Sequence, residues 1–282
     1  MPKPTLIFGT VGSPLSTPRN PGGTVGGIRC LAMLGLGTLE LAWVRSVRVS
    51  EEKCAEIKTT AQECGLALSV HAPYFINLNG SVDEWPRSRK RLMDAAHYGH
   101  LAGATDIIFH PGSYFGGAPR LVLEVAVPRL RQCVADLRAA GNPVRLRPET
   151  MGKSAMLGSL EDTLIMAEEI EGVEPCIDFA HLHARPGDGS VNTYAEWRAM
   201  LKLIKKRLGA APLKRLHIHL SGIEYGPKGE KHHLPLRESD LKYRQLFHAL
   251  RDAGAAGRVL CESPKMEEDA LVMKKEWERT QK

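Results

Sequence analysis

Eight times along this chain a short run of β-branched and apolar residues gives way to a longer amphipathic stretch, and no other feature limits the fold as much. The runs are TLIFGTVG (5–12), TLELAWV (38–44), ALSVHAP (67–73), DIIFHPG (106–112), VRLRPET (144–150), PCIDFAHL (175–182), RLHIHLSG (215–222) and GRVLCES (257–263). Helix signals fill the gaps. Ser50 opens SEEKCAEIKTTAQECG as an N-cap with Glu in the first turn, and LVLEVAVPRLRQCVADLRAAG stops at Gly141, its internal Pro128 predicting a kink or a late start. Strands alternating with helices make a parallel sheet with right-handed crossovers. Eight such units in 282 residues predict a closed (β/α)8 TIM barrel of the α/β class. A doubly wound sheet would need G-x-G-x-x-G directly after the first strand, whereas GGTVGG at 22–27 has another spacing and comes ten residues late. No linker-like shift in composition divides the chain, so residues 1–282 read as one domain.

On this rhythm the polar residues take a regular place. His71, His110, Glu149, Asp178, His219 and Glu262 end strands three to eight, with gaps of 39, 39, 29, 41 and 43 residues. Six consecutive strands thus carry a metal-type ligand at the C-terminal mouth, where barrel enzymes keep their chemistry. Imidazoles with carboxylates suit Zn²⁺ and its neighbours, and oxygen-only sets suit Mg²⁺. His181, three residues past Asp178, and Glu230 and His232, after strand seven, extend the set to nine. One zinc takes about four ligands. Nine imply two or three ions with shared carboxylates, the arrangement used for in-line displacement at phosphorus. A histidine alone on a strand or helix is more often a hydrogen-bonded core residue, and His217, His97 and His100 read that way. His183 and His233 read as solvated or supporting neighbours of the ligands.

Composition narrows the class without choosing a function. With 43% hydrophobic and 25% charged residues, the chain has the make-up of a soluble globular protein. The stretch 31–44 is too short and too interrupted for a bilayer span, and MPKPTLIFGT lacks the layout of a signal peptide, so a cytoplasmic protein without a membrane partner is expected. Six scattered cysteines with no C-x-x-C pair predict reduced, mostly buried thiols. A net charge of +6 favours a polyanionic partner such as nucleic acid. Arg19, Arg45, Lys153, Arg185, Lys228 and Lys231 fall in loops after strands, on the face of the expected metals, where a phosphate backbone would lie. PRSRKRL at 86–92 reads as a solvated helix face. Strand alternation places Arg145 and Arg147 on the inward face with Glu149, and Glu40 is the expected partner of these buried cations.

HAPYFINL (71–78), HPGS (110–113), ETMGKSAMLG (149–158), CIDFAHLHA (176–184), HLS (219–221), EKHH (230–233) and CESP (261–264) together resemble the signature blocks of endonuclease IV, a (β/α)8 AP endonuclease family. The blocks run in order from strand three to the end, and the likeness is greatest to a shorter branch of that family. The resemblance implies three Zn²⁺ ions, with Mn²⁺ as an alternative at one of them. His71, His110 and Glu149 would hold the first, Glu149 with Asp178, His219 and Glu262 the second, and His181, Glu230 and His232 the third. It further implies hydrolysis of the DNA phosphodiester 5′ to an abasic site in base-excision repair, leaving a 3′-hydroxyl. Glu149, Asp178 and Glu262 would be the catalytic carboxylates. Tyr74 falls at the family position that meets the flipped-out abasic nucleotide, and Arg45, Lys153, Arg185 and Lys231 would join it on DNA.

The chain departs from the family pattern at three places: Glu230 stands where Asp is usual, Ser221 where Asn is usual, and AWVRSVRVS lacks the Arg-Gln wedge that enters the DNA stack, leaving Arg45 or Arg48 as substitutes. Two other classes fit the same barrel: a sugar isomerase or epimerase using one or two Mg²⁺ or Mn²⁺ ions, and a non-catalytic metal-dependent damaged-DNA-binding module. A monomer without an obligate protein partner is expected.

Overall fold

The strand and helix alternation becomes a ring of parallel strands in the computed structural model, which describes residues 5–282. The barrel strands are β1 (Leu6–Val11), β2 (Thr38–Ala42), β3 (Ala67–His71), β4 (Asp106–Phe109), β5 (Arg145–Pro148), β6 (Cys176–Asp178), β7 (Leu216–Leu220) and β10 (Gly257–Cys261). They hydrogen-bond in the order β5-β4-β3-β2-β1-β10-β7-β6, all parallel. The remaining seam is joined by bridges Leu146 to Val173 and Glu149 to Cys176, with the Thr150 amide donating to the Cys176 carbonyl at 3.0 Å. This is a (β/α)8 barrel. Its outer layer is α1 (Gly23–Met33), α2 (Glu51–Cys64), α3 (Trp85–Leu101), α4 (Pro119–Ala139), α5 (Leu160–Glu169), α7 (Tyr194–Leu208), α9 (Tyr243–Asp252) and α10 (Glu267–Thr280). Between these lie the short α6 (Phe179–Ala184) and α8 (Ala210–Leu213), and a hairpin of β8 (Gly222–Gly226) and β9 (Gly229–Leu234) stands over the mouth between β7 and α9.

Strand alternation divides each strand between two environments. Val70, Ile107, Leu146, Ile177 and Ile218 face out and merge with the buried faces of the helices into one apolar core. The inward face is largely polar: Glu40, Ser69, Asp106, Arg147, His217 and His219 are all buried. Helix starts follow the sequence signals. The Ser50 hydroxyl accepts the Lys53 amide, a cap worth about 1 kcal/mol, and Ser159 and Thr193 open α5 and α7 with full capping boxes. No helix among the described residues is long and apolar enough to cross a membrane.

Four expectations are corrected. Pro128 does not delay the start of α4, which begins at Pro119, where a missing amide costs nothing, and runs through Pro128 to Ala139. Residues 179–182 are helical, not strand, because the Asp178 carboxylate caps α6 by accepting the His181 amide at 2.6 Å. The loop expected after strand seven is the β8/β9 hairpin. Arg147 pairs not with Glu40 but with Asp106 on the neighbouring strand (2.6 Å) and Glu174 just before β6 (3.0 Å); Arg145 lies nearest the same two carboxylates.

Candidate metal centre

Five of the ligand-type residues lie at the ends of β3, β4, β5, β6 and β7, with Glu262 one residue past β10, so the barrel sets their height. Glu149 is fully buried at their centre. Its carboxylate faces His71 Nε2 at 3.3 Å, His110 Nε2 at 3.4 Å, His181 Nδ1 at 3.3 Å and His219 Nδ1 at 3.3 Å. Neither Glu149 oxygen has a hydrogen-bond partner, nor do Asp178 Oδ2 and His219 Nδ1. Buried carboxylates are normally hydrogen-bonded. Donors held around 2.0–2.1 Å from a tetrahedral ion lie about 3.3 Å from one another, so the spacing of His71, His110 and His219 from Glu149 is that of ligands around a cation.

The imidazoles are fixed from behind. His71 Nδ1 meets the Ala72 carbonyl at 2.9 Å, His181 Nδ1 the Thr150 carbonyl at 2.9 Å, and His233 Nδ1 the Glu262 carbonyl at 3.2 Å. A carbonyl only accepts, so each of these nitrogens carries a proton, and in the neutral ring each Nε2 is the lone-pair donor. His181 Nε2 and His233 Nε2 face each other at 3.2 Å, a pair that either shares a proton or takes an ion between its two nitrogens.

Five groups have ligand atoms close enough to hold metal: Cys176, His217 and His219; Glu40, His71 and His219; and three that adjoin along the mouth, namely His71, His110 and Glu149; Glu149, Asp178, His219 and Glu262; and Asp178, His181 and His233. Of the adjoining three, Glu149 is common to the first two and Asp178 to the last two. Glu230 borders the third, with Oε2 3.6 Å from His181 Nε2 and Oε1 4.0 Å from His233 Nε2. The sequence reading is corrected here, because His233 and not His232 faces His181. In a regular strand Glu230 and His232 would share a face, two residues apart. The β8/β9 pairing shifts register between Glu224 and Tyr225, so Lys231 is extra and the face changes after it. His232 turns outward to Glu224, 59% exposed, and His233 turns inward, 22% exposed. The turn after β5 makes room for them. A Cβ on Gly152 would come within 2.7 Å of Glu230 Cβ and 3.0 Å of His181 Cδ2, so only glycine fits there.

Burial and charge set the proton affinities. Burial alone would raise Glu149, but His219, His110 and His181 outweigh it and hold the carboxyl well below its usual range. Burial pushes Asp178 up to about 6, with Glu262 and Glu149 adding to the rise against His181. Burial disfavours the charged form of His181 and His219, yet nearby anions, Asp178 and Glu149 for the first and Glu262, Glu40 and Glu149 among those for the second, raise both well above the ordinary imidazole value. His110 is lowered, chiefly by burial. The site is thus a knot of unpaired carboxylates and imidazoles that compete for protons.

The remaining candidates scatter. Tyr74 lies flat on His110 (ring centroids 5.0 Å, 23°) at the mouth, its phenol pushed up to about 12 by burial and the nearby carboxylates. Arg45 and Lys153 are exposed on the rim, and Lys231 is bound to Glu224 at 2.8 Å on the outer side of the hairpin. Arg185 does not offer its guanidinium to a ligand. Its terminal nitrogens donate to the carbonyls of Met151, Lys153 and Met156 at 2.8–3.0 Å, pinning the loop after β5. His97 and His100 are exposed on α3 rather than in the core. His183 is buried, not solvated, between the Ser190 carbonyl and Asp240. His217 is the expected core histidine, held by Glu40 at 2.8 Å.

This architecture has relatives. The family model described as a xylose isomerase-like TIM barrel matches residues 28–281. The chain belongs to that family. An uncharacterised protein of Methanocaldococcus jannaschii is 36% identical over 271 residues, 96% of each chain. A protein named probable endonuclease 4 of Oceanobacillus iheyensis is 27% identical over 172 residues, 58% of this chain and 54% of its own, so the match spans about half of that relative. Among solved structures, endonuclease IV from Thermus thermophilus superposes with a TM-score of 0.68 at 19% identity, covering 92% and 94% of the two chains. A D-tagatose 3-epimerase-like protein gives 0.72 at 15%, covering 98% and 97%. Both likenesses show the barrel.

Proposed function

We propose that this chain is a zinc-dependent phosphodiesterase that cleaves DNA 5′ to an abasic site and leaves a 3′-hydroxyl. The observation that carries the reading is the third ligand group: His181 and His233, with Glu230 beside them, adjoin Asp178, so that three groups stand in a row and share Glu149 and Asp178. The relative named probable endonuclease 4 supports it. Three divalent ions held there, with Mn²⁺ as an alternative to Zn²⁺ at one group, would supply Lewis-acid polarisation of the phosphate and neutralise charge on the departing oxygen.

The chain's own residues supply the rest. Glu149 fixes the first two groups at a common height, and Asp178, common to the second and third, ties the last two together. Tyr74 stays protonated and presents a ring face and a hydroxyl donor beside His110, suited to an extruded sugar; an abasic nucleotide has no base to unstack. Arg45, Lys153 and Lys231 would meet the phosphate backbone from the rim. Nicking of an abasic duplex at catalytic enzyme concentration, abolished by chelator and strongly lowered by Glu149→Gln, tests the reading; binding of that duplex without turnover would leave only a damaged-DNA-binding module.

A second reading has its own support, because Glu149, Asp178, His219 and Glu262 form a complete four-ligand group without the third. Together with the epimerase-like neighbour, this fits a ketosugar isomerase or epimerase. One equivalent of bound Mn²⁺ with sugar turnover and no nicking would favour it.

A further inference from the structure

Glu40 lies on β2, which with β1 is one of the two barrel strands for which the sequence suggested no ligand at the mouth, yet it is fully buried and reaches across the barrel to β7. Its Oε2 accepts from Ser69 Oγ at 2.8 Å and meets His217 Nε2 at 2.8 Å. Its Oε1 lies 3.0 Å from His219 Nε2 without meeting hydrogen-bond geometry, and neither of these two buried atoms has any hydrogen-bond partner. We propose that Glu40 is a positioning residue for His219: it holds the proton on Nε2 and so presents Nδ1 as a lone-pair donor to the Glu149, Asp178 and Glu262 group. The proposal rests on reading that group as a metal site.

Chemistry decides between this role and direct coordination. Glu40, His71 and His219 are close enough to hold an ion themselves. His71, however, has one free nitrogen, because its Nδ1 is spent on the Ala72 carbonyl, and that nitrogen faces Glu149 at 3.3 Å. His219 would have to bind an ion through each nitrogen. With Glu40 as acceptor, each nitrogen serves a single partner. His219 Nε2–H donates to Glu40, His219 Nδ1 turns to the metal group, and His71 Nε2 turns to the neighbouring group. The carboxylate also makes the imidazole a stronger donor, as partners behind metal-binding histidines do, and losing such a partner weakens metal binding by about 10–100-fold.

Glu40→Gln keeps the volume but has one acceptor oxygen where three donors converge. Competition titration with Zn²⁺ and a chromophoric chelator should show one equivalent bound about 10–100-fold more weakly than in the wild type, with the other equivalents unchanged. Nitrogen-15 NMR of histidine-labelled, Zn²⁺-loaded wild-type protein should show His219 protonated at Nε2 and bare at Nδ1, a readout that does not need the variant to fold. Unchanged affinity in Glu40→Gln, or a Zn²⁺-loaded wild-type His219 protonated at Nδ1 and bare at Nε2, overturns the proposal and leaves the metal reading standing. Loss of a whole equivalent with the others intact would make Glu40 a ligand and also overturn it. A wild-type protein that binds no Zn²⁺ overturns the metal reading itself.

Discussion

The barrel buries charge at both ends, and the two ends handle it in opposite ways. Toward the N-terminal end of the strands, Arg147 donates to Asp106, Glu174 and the carbonyls of Pro175 and Arg215, all at 2.6–3.1 Å. Burial would lower this guanidinium, but Asp106 and Glu174 raise it, and Arg147 and Arg258 hold Asp106 below its usual range. At the C-terminal mouth, Glu149 is as deeply buried but has no hydrogen bond on either oxygen. The lower layer is complete in itself, and the upper layer leaves both Glu149 oxygens free for ligation. Burial and charge alone do not mark a functional site; buried charge left without partners does.

Breaking the lower layer should cost the most stability. Arg147→Met leaves Asp106 and Glu174 buried without their main cation and should destabilise the fold by about 3–5 kcal/mol in chemical denaturation. Metal binding by the folded fraction should be unchanged. The mirror experiment is Glu149→Gln. It should lower nicking by about 10²–10³-fold, or about 2.7–4 kcal/mol, while the metal-free protein unfolds at the wild-type denaturant midpoint or above it. A large loss of metal-free stability would mean that the two layers are alike after all.

Within the mouth, the hairpin gives a sharper contrast. His233→Ala should weaken one metal equivalent by at least about a hundredfold, and His232→Ala, one residue away, should leave all equivalents in place. Equal effects in calorimetric titration would sink the bulge argument.

The smallest effect concerns pH. The folded pKa of Asp178, about 6, lies above its ordinary value, so the fold favours the protonated carboxyl and metal must displace that proton as pH falls through 6. Affinity of the groups sharing Asp178 should drop about tenfold per pH unit below 6 from this carboxylate alone. Raised His181 and His219 add further protons to displace, so the loss should begin at higher pH. Proton release on binding, measured in buffers of different ionisation enthalpy, checks the sign.

How much of this was legible in the sequence follows from what each residue depends on. The barrel and the heights of His71, His110, Glu149, Asp178, His219 and Glu262 were legible because one β/α unit separates each from the next and burial fixes strand register. His233 was not, since a one-residue bulge reverses the face of a strand and leaves no mark in composition. Glu40 was seen as an inward residue but given the wrong partner, because alternation tells which way a side chain points and not which opposing strand it meets. Arg185 looked like a phosphate contact by position alone; the carbonyls that occupy it belong to a loop shape that no local pattern announces.

The most direct test is a crystal structure of the wild-type protein grown with Zn²⁺, with anomalous data collected on both sides of the zinc edge. The expected result is zinc in all three groups, with Glu149 contacting two ions and His233, not His232, on the third. A well-ordered crystal at saturating Zn²⁺ with no anomalous peak beside Glu149, its oxygens instead hydrogen-bonded to protonated histidines, would contradict it.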